Sequence, residues 1–158
     1  MAKSSSRPSR GRAAVEPATG PTLRYIESSA LVAALLERDA AALRSLRAGT
    51  PRVTSALTLA EAGRAIVRAR VGVSLTPQEA GAAVRALRRF ERRCYVIPVT
   101  DDVLARVRRP FPVEPIRTLD AVHLATAELL GESPPLVAIV TRDSRVRENA
   151  EGLGYSIE

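Results

Sequence analysis

The sequence predicts an α/β fold: a single three-layer α/β/α domain built on a parallel sheet of about four to five strands. Two observations carry this. From Leu23 onward, short apolar runs alternate with longer helical patterns. Strands that alternate with helices of about ten or more residues pair in parallel and are covered on both faces. The length of 158 residues agrees, since one core typically spans about 100–200 residues. No internal repeat is visible.

The elements follow in order. A first strand over 23–26 leads to helices over 29–37 and 40–48. A short strand over 52–54 precedes a helix over 57–70, with Leu59, Gly63, Ile66 and Val67 on one face. Thr76-Pro77-Gln78-Glu79 is a capping box with proline at the first helical position, opening a helix to residue 92. Residues 95–98 read as a strand, and Thr100, Asp101 and Asp102 start a short helix to residue 108. A loop over 111–115 follows. Thr118 is expected to cap a helix to residue 130, which Gly131 ends. Residues 136–140 are the clearest buried strand, 144–151 a helix and 155–157 a last strand.

Composition narrows the class. The longest stretches without a charge are nine residues, 28–36 and 133–141, against roughly 20 apolar residues for a membrane-spanning helix. Three Tyr, two Phe, no Trp and 26 Ala leave a core of closely packed aliphatic side chains. The single cysteine, Cys94, excludes an internal disulfide and a thiolate metal site. It is expected to be a small buried hydrophobe. No apolar signal region opens the chain, so a cytoplasmic location is expected. The net charge is +7, and 23 of the 24 basic residues are Arg, whose planar donors suit phosphate. An Arg-biased composition accounts for the same numbers. Residues 1–21, with Lys3, Arg7, Arg10 and Arg12 against Glu16, are expected to be a disordered basic tail ahead of a domain over 22–158.

Ligands of open α/β sheets bind beyond the carboxyl ends of the strands. Glu27 directly follows the first strand, and Asp143 follows the buried strand. Asp120 opens a helix, and Glu61 lies one to two turns into another. Clustered carboxylates raise one another's pKa unless a cation neutralises them, and hard oxygen ligands suit Mg2+ or Mn2+. Three of the acids also have a structural explanation: Asp143 as an N-cap, Asp120 at a helix dipole, Glu61 paired with Arg64 or Arg68. Glu27, closing an apolar strand at a helix start, has no structural need to be there.

The four segments holding these acids resemble those of a PIN domain, and more narrowly of a VapC-type toxin ribonuclease. Tyr25-Ile26-Glu27-Ser28-Ser29-Ala30 is similar to the family's opening strand, and Val53-Thr54-Ser55-Ala56-Leu57-Thr58-Leu59-Ala60-Glu61 to its second block. Arg117-Thr118-Leu119-Asp120-Ala121-Val122-His123-Leu124-Ala125-Thr126-Ala127 is the most specific match, and Val140-Thr141-Arg142-Asp143-Ser144 resembles the fourth block. The resemblance covers nearly all of the predicted domain. It implies a PIN-like fold, Mg2+- or Mn2+-dependent cleavage of RNA, a homodimer, and a cognate antitoxin that occludes the site. Carried over, Glu27, Glu61, Asp120 and Asp143 are the metal-binding, catalytic acids, with Ser28 and Thr141 supporting them.

One position departs from the pattern. Glu27 stands where the family usually has Asp, and a misplacement of about 1 Å can cost roughly 10²-fold in rate. The alternative to an active ribonuclease is therefore a catalytically weakened PIN-like module that binds RNA or a partner. A phosphoryl-accepting receiver domain would need a Lys at a strand end, and the only Lys is Lys3. Arg142 and Arg145, flanking Asp143, are the expected RNA contacts. The run Arg85, Arg88, Arg89, Arg92, Arg93 reads as a solvated helix face or a phosphate track. His123 is expected to be a packed or hydrogen-bonded residue of its helix. No phosphate-binding glycine loop and no Gly-x-Ser-x-Gly elbow occurs.

Overall fold

A computed structural model of the chain describes residues 20–158. The expected tail, apart from Gly20 and Pro21, lies outside the described residues. Five strands, β1 (Leu23–Ile26), β2 (Arg52–Ser55), β3 (Tyr95–Ile97), β4 (Val137–Val140) and β5 (Ser156–Ile157), form one sheet in the order β3-β2-β1-β4-β5. Every pairing is parallel; β1 sets Tyr25 beside Val53 on one side and Ile139 on the other. Seven α-helices cover it: α1 (Ser28–Val32), α2 (Ala40–Arg47), α3 (Ala56–Val71), α4 (Pro77–Glu91), α5 (Asp101–Val107), α6 (Thr118–Glu128) and α7 (Ser144–Gly152).

β4 is apolar and buried at every position because both faces of the sheet are packed. Tyr25, Val53, Val137 and Ile139 meet Val103, Leu124 and Val146 of α5, α6 and α7. Ile26 and Val140 point the other way, against Leu31 of α1 and Ala62 of α3. Alanines at 30, 33, 34, 42 and 62 are buried, and so small a side chain lets these helices lie close to the sheet and to each other. The result is the three-layer architecture with five parallel strands. Among the described residues no helix is long and apolar enough to cross a membrane.

Local departures from expectation have physical causes. The helix expected over 29–37 is α1 followed by a π-helical turn, Ala33–Glu37. Arg38 then takes a left-handed φ of 55°, which turns the chain into α2, where Asp39 caps through Ala42 N at 2.7 Å. Ser55 caps α3, and the buried face of that helix is Thr58, Ala62, Ala65 and Ile66, leaving Val67 exposed. Thr118 is not a cap; it is the first residue of α6, and Arg117 precedes it without a side-chain bond. The loop ahead is closed by Glu114, which accepts from Phe111 N at 3.0 Å and Ile116 N at 2.8 Å, so the extended backbone persists to Arg117. Prolines 134 and 135 form a 3-10 turn that delays β4 by one residue. Cys94 is half-buried, beside edge strand β3, and burial pushes its thiol up to about 12.

Candidate metal centre

The chain winds from β1 through β2 to β3 in one direction, then returns to β4 and β5 on the other side of β1. Between β1 and β4 the strand order reverses, and in open α/β sheets ligands bind at the carboxyl ends beside such a switch point. All four predicted acids stand at that edge. Glu27 leaves β1, Asp143 leaves β4, Asp120 lies in the first turn of α6, and Glu61 sits in the second turn of α3.

Glu27 is only 3% exposed. Its carboxylate caps α1, accepting from Ser29 N at 3.0 Å through both oxygens, from Ser28 Oγ at 2.6 Å and from the Ser29 hydroxyl. Thr141 Oγ1 donates to Glu27 Oε2 at 2.8 Å and accepts from Asp143 N at 3.1 Å. That one hydroxyl ties the first acid to the fourth. Ser29 Oγ also accepts from Arg142 N at 2.7 Å. Ser28 and Thr141, expected as supporting residues, thus hold Glu27, and Ser29 acts with them. Ser29 was legible only as the small residue after the Glu-Ser pair; its link to Arg142 N is tertiary.

Glu27, Glu61 and His123 each present an atom within 4.8 Å of the others. His123 Nε2 lies 2.7 Å from Glu61 Oε2 and 3.7 Å from Glu27 Oε1. Burial pushes the Glu61 carboxyl up, but the hydrogen bond and charge of His123 outweigh it, and its pKa falls below the ordinary value. Asp120 behaves oppositely. Burial first, then the negative charges of Asp143 and Glu27, raise its pKa against the pull of Arg117 and His123. Its Oδ2 is buried with no hydrogen-bond partner. An orphaned carboxylate oxygen facing two other acids fits a divalent cation, which supplies the missing positive charge. Asp143 itself caps α7, accepting from Arg145 N at 2.8 Å and Val146 N at 3.1 Å.

The two predicted RNA contacts differ. Arg142 is bound to Asp39 at 3.1 Å and donates to the carbonyl oxygens of Thr141 and Glu158. Arg145 is exposed, and its guanidinium makes no ion pair or hydrogen bond among the described residues.

The PIN domain model matches residues 24–152. Ribonuclease VapC35 of Mycobacterium tuberculosis is 37% identical over 137 residues, covering 84% of this chain and 93% of that protein. Ribonuclease VapC46 of the same species is 38% identical over 135 residues, covering 84% and 94%. Two solved structures share the fold: VapBC2 from Rickettsia felis bound to a DNA fragment from its promoter, and PAE2754 from Pyrobaculum aerophilum. The first has a TM-score of 0.60 at 11% identity, covering 86% of this chain and 97% of its own. The second has a TM-score of 0.59 at 22% identity, covering 89% and 87%. With the family model spanning β1 to β4 almost entirely and all four acids, the chain belongs to the PIN domain family and stands beside its VapC ribonucleases.

Proposed function

We propose that this chain is the endoribonuclease toxin of a toxin–antitoxin pair and hydrolyses RNA phosphodiester bonds with Mg2+ or Mn2+. The observation that carries it is the convergence of Glu27, Glu61, Asp120 and Asp143 on one edge of the sheet, with Asp120 Oδ2 buried and unpaired. These four acids would hold the cation. When bound, it supplies positive charge against the negative charge that develops on the phosphodiester. The chain's own groups fix the acids beforehand: Ser28, Ser29 and Thr141 immobilise Glu27, and the α7 backbone immobilises Asp143. Arg145 stands beside Asp143 with a free guanidinium for an RNA phosphate. Arg142 would reach RNA only by exchanging its Asp39 partner.

The partners follow from the same reading. A cognate antitoxin suits the apolar groove lined by Leu31, Leu35, Leu43, Leu46 and Phe90 and rimmed by Arg47, Arg52, Arg89 and Arg93. Exposed Val71, Tyr95 and Leu104, on α3, edge strand β3 and α5, support a homodimer. The cytoplasm, where RNA is plentiful, is its place.

The weakened binding module keeps one observation in its favour: the Glu27 carboxylate is already occupied by its serine and threonine donors. Incubating a mixed RNA pool with purified protein in Mn2+, in Mg2+ and in chelator separates the two. Cleavage is expected with metal and lost in chelator and in Asp143→Asn. Because Asn caps a helix as well as Asp, that loss is chemical. RNA binding without turnover, with or without metal, supports the module instead, and cutting gained by Glu27→Asp marks a detuned site.

A further inference from the structure

His123 enters the site from behind. It is carried by α6, one turn after Asp120, and is 1% exposed. Its Nδ1 lies 3.2 Å from the hydroxyl of Tyr25, itself 1% exposed on β1, and the two rings meet edge to face at 71°. Its Nε2 faces only carboxylate oxygens, Glu61 at 2.7 Å and Glu27 at 3.7 Å. A nitrogen between two acceptors is a donor, so Nε2 carries a proton toward the carboxylates, while Nδ1 is hydrogen-bonded to the Tyr25 hydroxyl. The imidazole thus links a core strand hydroxyl to the acid.

Glu61 needs that hold. It reaches the site on a flexible side chain from α3, whereas Glu27 is fixed by its cap and Asp143 by the α7 backbone. Its strongest hydrogen bond is the one from His123, ahead of the nearby Ser28 hydroxyl. We infer that His123, anchored by Tyr25, is a positioning residue: it keeps the Glu61 carboxylate turned toward Glu27 so that the cation-holding acids are assembled before the cation arrives. The inference rests on the proposed nuclease reading, in which Glu61 is one of those acids. Removing such an outer partner typically costs about 10–100-fold in metal affinity or activity.

The test uses two amides that differ in where they place a donor. In His123→Gln the amide nitrogen sits as many bonds from Cβ as Nε2 does and can still reach Glu61. In His123→Asn it sits at the Nδ1 position and reaches only toward Tyr25. Mn2+ binding is measured by titration calorimetry on the full chain, with thermal unfolding of the metal-free proteins alongside. The parent and His123→Gln are expected to bind Mn2+ within about 3-fold of each other, and His123→Asn 10–100-fold more weakly, with kcat on RNA falling in parallel and KM nearly unchanged. Equal Mn2+ affinity in parent and His123→Asn overturns the inference. So does a His123→Gln variant as weak as His123→Asn, which would make the imidazole ring itself the ligand. If both variants fail to fold, Tyr25→Phe decides: a severalfold weaker Mn2+ affinity supports the anchor, and an unchanged one overturns it. A parent that binds no Mn2+ at all fails the nuclease reading instead, so the two failures are distinct.

Discussion

Thr141 places one hydroxyl among three groups: it donates to Glu27, accepts from Asp143 N, and lies 3.2 Å from Ser29 Oγ. Thr141→Val keeps the shape and deletes the bridge. Leaving buried polar groups short of a partner costs about 1–3 kcal/mol, read by urea unfolding, and RNA cleavage should drop at least about 10-fold. Thr141→Ser should recover most of the activity. Asp120 gives the opposite sign for stability. Its proton affinity is raised in the fold, so its ionised form opposes folding. Metal-free Asp120→Asn should therefore be slightly more stable than the parent at pH 7, while losing cleavage. The difference should shrink as pH falls through the carboxylate range and vanish below the unfolded value of about 3.9; melting curves across that window check it. Glu27, Asp120 and Asp143 were legible in the sequence because they sit at strand ends and helix starts, and Glu61 because it lies one to two turns into its helix, whereas Ser28 and Thr141 came only with the resemblance to PIN segments. The His123–Glu61 contact was not legible, since it joins α6 to α3 and no spacing along the chain encodes it.

The elements themselves depend on close backbone approach. Gly152 ends α7, and a Cβ there would lie 2.7 Å from Pro112 Cβ, a ring that cannot swing aside. Gly152→Ala should push the 111–115 loop outward and cost about 1–3 kcal/mol by overpacking, seen in the denaturation midpoint. The same loop leads into α6, so Asp120 should shift with it and cleavage should fall. Alternation of apolar runs with helical periods was enough to read all five strands and seven helical segments, to within a residue or two at their ends. What it missed were backbone choices made by tertiary contacts. The π-helical turn at Ala33–Glu37 runs into the left-handed Arg38 and then an Asp39 that pairs with Arg142. Arg106 of α5 is buried, with Glu128 at 2.7 Å and its guanidinium 3.9 Å over the Phe111 ring. Such pairings join residues that sequence periodicity treats as independent.

Over the whole molecule, charge and topology act together. Arg85, Arg88, Arg89, Arg92 and Arg93 are all exposed, the solvated face that composition allowed, and RNA affinity should fall steeply with salt if they or Arg145 neutralise phosphates. Sheet order brings together acids from segments spread between residues 27 and 143. An unfolded chain scatters those segments, so it offers a divalent ion no comparable site. On the proposed reading, cation binding would therefore be coupled to folding. Cation at 100 times its dissociation constant should add about 2.7 kcal/mol to the native state, a rise in melting temperature of roughly 5–10 °C, which chelator should erase and Asp120→Asn should blunt. The fold is thus its own gauge of occupancy: a melting curve reports whether the site is loaded without any RNA being cut.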